Sequence, residues 1–154
     1  MGAAVLAAAL IVSPASAHDI TAPAPHHLSG VQASAYHGKF YRAGQEAYRK
    51  CVLRRESNGH YFSTNRAGDS WGGYQMTKAL GVGAAWMLQP ELMRLIGKDR
   101  GRKVAAWMRS VTPDRWNRYQ QDMAFYTVLN WNGDGSGAKH WRGGRFTCTL
   151  AGAR

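Results

Sequence analysis

Apolar residues recur every three or four positions along much of the chain, in segments separated by glycine, asparagine and proline. This spacing is typical of helices that bury one face. It predicts four helices, over residues 43–57, 90–96, 100–109 and 113–130. The last is predicted to be the longest, with Thr112 as its cap and Pro113 in its first position. In the third helix, the inward-facing residues are expected to be Val104, Trp107 and Met108.

A short β-hairpin is predicted directly after the first helix. Asn58-Gly59 is typical of a helix end, and His60–Thr64 then has the composition of a strand. Residues 65–69 are predicted to form a turn, and Trp71–Met76 the second strand. These elements together predict a mainly α domain of the α+β type, followed by a glycine-rich, mobile loop over residues 132–144.

The first 42 residues differ in character from the remainder. Residues 1–17 combine an apolar run with Ala15-Ser16-Ala17, the small-residue pattern that signal peptidase cleaves, so they predict a signal peptide. A short buried or interfacial helix is the alternative. Residues 18–42, rich in Ala, Pro, Ser and His, are interpreted as a flexible linker, and residues 43–154 as the single domain. The expected location is extracellular.

The composition narrows the classes of partner. The 154 residues include 20 Lys and Arg against 9 Asp and Glu, a net charge of +11, which favours anionic partners. Nucleic acid is a rival, but no helix-turn-helix, zinc-finger or RNA-binding signature accompanies the charge. After the N-terminal run, no stretch is apolar enough for stable membrane insertion. The expected partners are therefore anionic polymers outside the cell.

Two cysteines, Cys51 and Cys148, are the number that one disulfide needs in an exported protein. Their bridge would close a loop of roughly 100 residues, for which the chain-entropy model gives about 4.7 kcal/mol of stabilisation. A catalytic thiol or a metal site is the alternative, although no second cysteine or histidine stands at zinc-ligand spacing.

The most informative stretch pairs Glu56-Ser57-Asn58-Gly59 with a downstream Gly72-Gly73-Tyr74-Gln75-Met76-Thr77. Here the chain resembles the lysozyme-like superfamily of peptidoglycan-cleaving enzymes, above all the transglycosylase-like domains of actinobacterial resuscitation-promoting factors. That family is similar in placing Glu-Ser at a helix end and a Gly-Gly-Leu-Gln-Phe-Thr type of turn about fifteen residues later. Tyr74 and Met76 replace the family's Leu and Phe.

The resemblance implies a role for several single residues. Glu56 matches the catalytic acid, and Ser57, Gln75 and Thr77 match positions that surround the acid or contact the glycan. The implied activity is cleavage of the MurNAc–GlcNAc strand of peptidoglycan, by a lysozyme-type hydrolase or a lytic transglycosylase, without cofactor or metal. The resemblance also implies a monomer that associates with the cell wall and whose partners are peptidoglycan strands and anionic cell-wall polymers. A wall-binding module without catalytic activity is the alternative.

The chemistry of the residues agrees with that role for Glu56. Glycosidic cleavage needs an acid that protonates the leaving oxygen. Glu56 continues the stripe of Tyr48 and Val52 to a helix end, where apolar neighbours and the helix dipole favour the protonated form. The alternative is a solvated glutamate paired with Arg54 or Arg55.

A second carboxylate would decide the mechanism. Asp69 is the other acid in the motif region, and we expect it to be either a turn residue or the second carboxylate of a hydrolase. Without it, Glu56 would act alone and the substrate's C6 hydroxyl would close a 1,6-anhydro ring. Among the aromatic residues, the candidates for the cleft are Trp71, Tyr74, Trp131 and Trp141, of which Trp71, Tyr74 and Trp141 are the expected walls.

Overall fold

The structure, a computed structural model, describes residues 20–22 and 29–151. The predicted signal peptide, residues 1–17, lies outside the described residues. The described chain forms four α-helices: α1 (Glu46–Ser57), α2 (Lys78–Ile96), α3 (Lys98–Ser110) and α4 (Arg118–Asn130). A two-stranded antiparallel hairpin, β1 (Ser70–Trp71) and β2 (Met76–Thr77), follows α1, and shorter 3-10 helices cover Ala43–Gln45, Pro113–Arg115 and Ser136–Trp141.

The predicted fold class is confirmed: the protein is mainly helical, has a short hairpin after the first helix and contains one disulfide. The bridge joins Cys51 of α1 to Cys148 near the C-terminus, with 5.7 Å between their Cα atoms. The predicted pairing of the two cysteines is therefore confirmed, and it ties the first helix to the last segment of the described chain.

Two predicted helix boundaries were wrong. Pro90 lies inside α2 and not in a first turn, because Thr77 caps the helix much earlier by accepting a hydrogen bond from the Leu80 amide. Pro90 is on the exposed side, where water can bond the carbonyl that its missing N–H leaves free. The helix predicted to follow Thr112 is divided, since Asn117 and Gln120 form a capping box that starts α4 afresh. The longest helix is therefore α2.

The hairpin also differs in register from the prediction. His60–Thr64 does not form a strand, and only Thr64 makes an isolated bridge to Trp71. The paired residues are Ser70 with Thr77 and Trp71 with Met76, so the strands enclose the glycine pair of the motif. Residues 72–75 are consequently a tight turn and not part of an extended strand.

Helix α4 is the centre of the core. Every residue from Tyr119 to Asn130 is buried, and Trp116, just before the helix, is fully enclosed. Trp107 was predicted to face inward, but it is 42% exposed, because α3 turns Ala105 and Met108 toward the core. None of the helices within the described residues has the length and apolarity of a membrane span.

The interpretation of residues 18–42 as a flexible linker is at odds with the part that the structure describes. Tyr36 is fully buried and its hydroxyl donates to Glu91 Oε1 at 2.8 Å, while Phe40 packs in the core. The Ser34 amide donates to Glu46 and the Ala35 amide to Asp122. Residues 29–42 are therefore packed against the helices. Their contacts are made by a few buried side chains and by backbone amides, which leave no regular periodicity in the sequence.

A buried charged network joins this segment to α1, α4 and the hairpin. Arg49 has no exposed surface; it bonds Glu46 Oε1 at 2.7 Å and the Tyr74 hydroxyl at 2.7 Å, and lies 3.4 Å from Asp122. Asp122, equally buried, accepts from the hydroxyls of Tyr61 and Tyr74. Burial, and then the charge of Asp122, raise the pKa of the Tyr61 phenol, so Tyr61 remains a donor.

Replacement of Arg49 by Met is expected to lower the free energy of unfolding by about 3–5 kcal/mol, because it removes the buried cation beside Asp122 and leaves only the partly exposed Arg118, 3.8 Å away. Urea denaturation followed by circular dichroism measures the change. Arg54→Met, an exposed position on the same helix, is the control and should change stability by less than about 0.5 kcal/mol. Equal stability of the two variants would contradict a central role for the network.

Stability should also fall in acid through Glu46. Burial alone would raise the pKa of this carboxyl, but hydrogen bonds from Arg49 and Tyr126 hold it below the ordinary value of 4.5. A lowered pKa in the folded state contributes stability that is present above pH 4.5 and is lost as the pH falls through the folded value. Unfolding curves between pH 6 and pH 3 should therefore be less pH-dependent for Glu46→Gln than for the wild type; parallel pH profiles would contradict this.

Candidate active site

The end of α1 sets the position of Glu56. Asn58 adopts a left-handed conformation (φ 56°), and its amide and that of Gly59 bond the Arg54 and Leu53 carbonyls, which stops the helix. A Cβ on Gly59 would lie 2.6 Å from the backbone of Gly30, so only glycine lets the N-terminal segment pass here. Glu56 thus lies in the last turn of a helix whose end is capped by the Asn58 and Gly59 amides and packed against the backbone of Gly30.

Glu56 forms an ion pair with its neighbour Arg55. The Arg55 Nε and Nη2 atoms lie 2.9 and 2.8 Å from Glu56 Oε1. Among the described residues no hydrogen-bond donor contacts Oε2, and the Glu56 side chain is 24% exposed. Oε2 is therefore the oxygen that an incoming substrate can reach.

Arg55 is buried and has a structural function. The sequence indicated it only as a possible ion-pair partner of Glu56. Its guanidinium donates to the carbonyls of Trp141 and Phe146, and the Arg145 guanidinium donates back to the Arg55 carbonyl. These contacts, with the disulfide one turn earlier on α1, hold the C-terminal segment beside Glu56. The ion pair that was the alternative prediction for Glu56 is thus present. Its guanidinium, that of Arg55, is held in place by the carbonyls of Trp141 and Phe146.

The motif turn, residues 72–75, is built against α4. The Gly73 amide donates to Gln121 Oε1 at 2.8 Å. Gly72 has φ 79°, and a Cβ there would lie 2.5 Å from the same Gln121 oxygen. Both the backbone angle and the close approach require glycine at position 72, which explains the first glycine of the motif.

Tyr74 and Trp141 differ from their predicted role as cleft walls, because both are buried. The Tyr74 ring stacks on Phe125 with 4.5 Å between ring centroids, and its hydroxyl reaches Arg49 and Asp122. Trp141 packs against Phe125 and donates from Nε1 to the Tyr74 carbonyl at 2.9 Å. Neither ring is open to a sugar; together they support the turn from beneath.

The remaining motif residues have mixed surroundings. The buried Ser57 hydroxyl donates to the Leu53 carbonyl within α1, so it is not directed at a substrate. Gln75 has a φ of 47°, and its Nε2 donates hydrogen bonds to the Gly72 and Ser63 carbonyls. Thr77 is exposed, and Trp71 is partly buried in β1. Only Gln75, Thr77 and Trp71 retain surface that a glycan can contact.

Asp69 has the surroundings of a turn residue. Its Oδ1 accepts from Asn65 Nδ2 at 2.7 Å and from the Ser70 hydroxyl at 3.0 Å. These two hydrogen bonds lower the pKa of the fully exposed Asp69 carboxyl. The Asp69 side chain therefore closes the loop before β1, which accounts for its presence without a catalytic function.

A cavity of about 500 Å³ opens between α2, the end of α4 and the 3-10 helix Ser136–Trp141. Its floor is apolar, and its rim carries an aromatic ring, a hydroxyl and two basic side chains; the residues that define it are Thr77, Leu80, Met87, Trp131, Lys139 and His140. The Trp131 ring is 49% exposed and stacks on Phe40. Burial, and then the charge of Lys139, lower the pKa of His140, which favours its neutral form.

Glu56 does not line this cavity, but Tyr48 connects the two. The Tyr48 hydroxyl faces the carbonyl of Ala138, at 3.5 Å, in the 3-10 helix that forms one wall. Burial raises the pKa of Tyr48, and the charges of Arg55, Glu56 and Arg142 also act on it. Glu56 and the cavity are therefore separate features of the described surface, and Tyr48 is their shared neighbour.

Within the described residues, no group of three or more His, Cys, Asp or Glu side chains is arranged to hold a metal ion. In the glycine-rich loop after α4, the Asp134 carboxylate accepts from the Ser136 amide at 2.9 Å. Comparisons with protein-family models, with curated proteins and with solved structures found no match to this chain.

Trp141→Phe tests whether the turn depends on the support beneath it. The change removes the donor to the Tyr74 carbonyl, and an unpaired buried carbonyl is destabilising by about 1–3 kcal/mol. Amide hydrogen exchange at Gln75, whose amide bonds the Gly72 carbonyl, should become faster while exchange in α4 is unchanged. The exposed Trp86→Phe is the control. Unaltered exchange at Gln75 would show that the turn is held by other contacts.

Proposed function

We propose that the protein is a secreted, monomeric glycosidase that cleaves the MurNAc–GlcNAc linkage of peptidoglycan, with Glu56 as its catalytic carboxylate and without a cofactor. The observation that supports this most directly is the environment of Glu56. Its Oε1 accepts from the buried Arg55, no donor among the described residues contacts its Oε2, and the same Arg55 holds the C-terminal segment by bonding the Trp141 carbonyl.

The disulfide and the charge are compatible with the proposed location. Cys51–Cys148 is of the kind that persists in oxidising compartments. The net charge of +11 favours adsorption to the anionic envelope through long-range, salt-sensitive attraction. Secretion by a cleaved signal peptide, residues 1–17, remains part of the proposal.

In the proposed mechanism Glu56 donates its proton to the glycosidic oxygen as the bond from C1 of MurNAc breaks. In the structure the Arg55 guanidinium occupies Oε1 of Glu56. Substrate binding must therefore weaken that contact or bring an apolar sugar face over Oε2 before the proton is transferred. After cleavage the glutamate is anionic and Arg55 is in place to stabilise it.

The cavity beside the 3-10 helix is the proposed sugar site. Its volume of about 500 Å³ accommodates a hexose with its substituents, and apolar floors under aromatic walls are typical of ligand sites. The exposed ring of Trp131 can stack on a pyranose face. Thr77 and His140 supply hydrogen bonds to hydroxyl and acetamido groups. Trp131 and His140 therefore replace Tyr74 and Trp141 as the proposed cleft residues.

The surroundings of Asp69 favour the one-carboxylate form of the reaction, lytic transglycosylation. In that form Glu56, now a base, takes the proton of the C6 hydroxyl while O6 bonds C1, which closes the 1,6-anhydro ring and restores the acid. A hydrolase would need a water molecule and normally a second carboxylate. Asp69, exposed and bonded to Asn65 and Ser70, is poorly suited to that function.

A wall-binding module without catalytic activity is the second candidate, and the Arg55–Glu56 pair favours it. A carboxylate held by a guanidinium is a common structural contact and is compatible with glycan binding alone. The two functions differ in what Glu56→Gln does, since only an enzyme loses turnover.

Digestion of purified peptidoglycan, followed by mass spectrometry of the released muropeptides, tests the proposal. The wild type should release 1,6-anhydro products, and Glu56→Gln should reduce the rate at least about 100-fold, the usual contribution of general acid catalysis. Asp69→Asn should retain the wild-type rate, because its carboxylate closes only a turn.

Each contrary result has a distinct meaning. If the wild type releases products with reducing ends, and both Glu56→Gln and Asp69→Asn abolish that release, the protein is a two-carboxylate hydrolase and not a transglycosylase. Absence of soluble products from the wild type, with wall binding retained, would refute the enzyme and leave the binding module.

A further inference from the structure

The outer face of the α2–α3 hairpin carries a row of cations that the proposed active site does not use. Lys98 and Arg102 are exposed and stand one turn apart on α3, about 6 Å along the helix axis, and Arg109 follows about 10 Å further on. Within the described chain none of the three forms an ion pair with a carboxylate. They therefore present unneutralised charge to the solvent along one line.

Trp86 extends this row onto α2. The Arg109 guanidinium lies over the Trp86 ring, 3.6 Å from its centroid, and one of its nitrogens donates to Gln89 Oε1 at 3.1 Å. The ring nevertheless remains 58% exposed. Stacking on an aromatic ring fixes the plane of a guanidinium and leaves its other N–H groups free to bind an anion.

Acidic side chains are scarce on the same face. Residues 78–110 contain seven Lys and Arg but only two acids, Glu91 and Asp99. Glu91 is buried, where it accepts from the Tyr36 hydroxyl and the Lys39 amide. Asp99 is thus the only exposed carboxylate on the two helices, and the field at the surface is positive.

The two helices form a rigid platform for these side chains. A single residue, Gly97, connects them, and a Cβ on Gly101 would lie 2.4 Å from the Met93 amide nitrogen, so the backbones are in direct contact. Helix-borne cations held at fixed spacing lose less entropy on binding than cations on loops. The face is therefore organised before any partner arrives.

We infer that this basic surface, defined as Trp86, Lys98, Arg102 and Arg109, binds the phosphodiester backbone of an anionic cell-wall polymer. A row of separated cations matches a chain of repeated phosphates, whereas a single small anion would engage only one of them, and the two guanidinium groups can bond phosphate oxygens in pairs. The inference rests on the proposed function, which places such polymers next to the substrate. It goes further in naming a second site that holds the protein on the wall.

The surface is separate from the proposed catalytic residues. Glu56 belongs to α1 and pairs with Arg55, which bonds the C-terminal segment, while all four residues of the basic surface belong to α2 and α3. Loss of the basic surface should accordingly weaken attachment without changing the cleavage of a glycan that carries no polymer.

Calorimetric titration of the full chain with soluble poly(glycerol phosphate) tests the inference. Lys98→Gln/Arg102→Gln should weaken binding about tenfold and reduce the dependence of log Kd on log salt by about 1.4, the effect of two lost phosphate contacts. Lys50→Gln/Arg54→Gln is the matched control, because it removes the same charge at the same spacing on α1. The control should bind within about twofold of the wild type.

Substitutions of Trp86 separate its stacking function from general stability. Trp86→Ala should weaken binding, whereas Trp86→Phe should restore it, since a phenyl ring still supports the Arg109 guanidinium. Equal losses in the two charge variants would overturn the inference, because net charge alone would then explain the binding. Tighter, Lys98- and Arg102-dependent binding to single-stranded DNA would also overturn it and identify nucleic acid as the partner.

The digestion assay distinguishes failure of this inference from failure of the proposed function. On peptidoglycan stripped of its phosphate polymers, Lys98→Gln/Arg102→Gln should release muropeptides at the wild-type rate. Reduced release there would show that these cations act in cleavage, contrary to the inference. A wild type that binds poly(glycerol phosphate) through Lys98 and Arg102 but cleaves nothing would refute the enzyme alone.

Discussion

The buried pair of Arg49 and Asp122 is the interaction on which the rest of the structure depends. Both groups are fully removed from water, so each depends on the other and on the charged and hydroxyl partners around the pair, which include Arg118 at 3.8 Å from Asp122. Those partners come from different parts of the chain: Glu46 on α1, Tyr74 in the motif turn, and the backbone of residues 32 and 35. One pair of charges thus sets the relative positions of the N-terminal segment, two helices and the hairpin.

This constraint also explains the arrangement near Glu56. The turn is held from within by Tyr74, whose hydroxyl bonds Arg49 and whose carbonyl accepts from Trp141. Trp141 in turn carries a carbonyl that binds Arg55, the partner of Glu56. A continuous series of contacts therefore runs from the buried charges to the proposed catalytic carboxylate. Aromatic residues that resemble sugar-binding groups in the sequence are used to build this support.

The sequence was sufficient to predict the fold class, the hairpin after α1 and the disulfide, because periodicity, turn residues and a single cysteine pair are local or unambiguous signals. It was insufficient where a distant partner decides the outcome. Tyr74 and Trp141 look like surface aromatics until Phe125 and Asp122 are brought beneath them. Residues 29–42 lack hydrophobic periodicity, yet hydrogen bonds to α1, α2 and α4 hold them in place. The sequence of the segment contains no pattern that predicts these bonds.

The same distinction applies to the candidate site. Glu56 at a helix end and the glycine pair before Gln75 were recognisable from spacing, whereas the anchoring of Arg55 by the C-terminal carbonyls depends on the chain's return through Cys148. Trp131 and His140 stand in a glycine-rich stretch without periodicity. Their shared cavity with Thr77 follows from the packing of α2 against α4.

The most direct test of the account is a crystal structure of Glu56→Gln bound to a peptidoglycan tetrasaccharide. If Glu56 is the catalytic acid, a glycosidic oxygen lies within hydrogen-bond distance, about 3 Å, of the residue 56 side chain. A sugar ring is then stacked on Trp131, and Asp69 keeps its contacts in the turn before β1. A glycan bound elsewhere, with residue 56 still in contact with Arg55 and remote from every glycosidic oxygen, would contradict the catalytic function of Glu56.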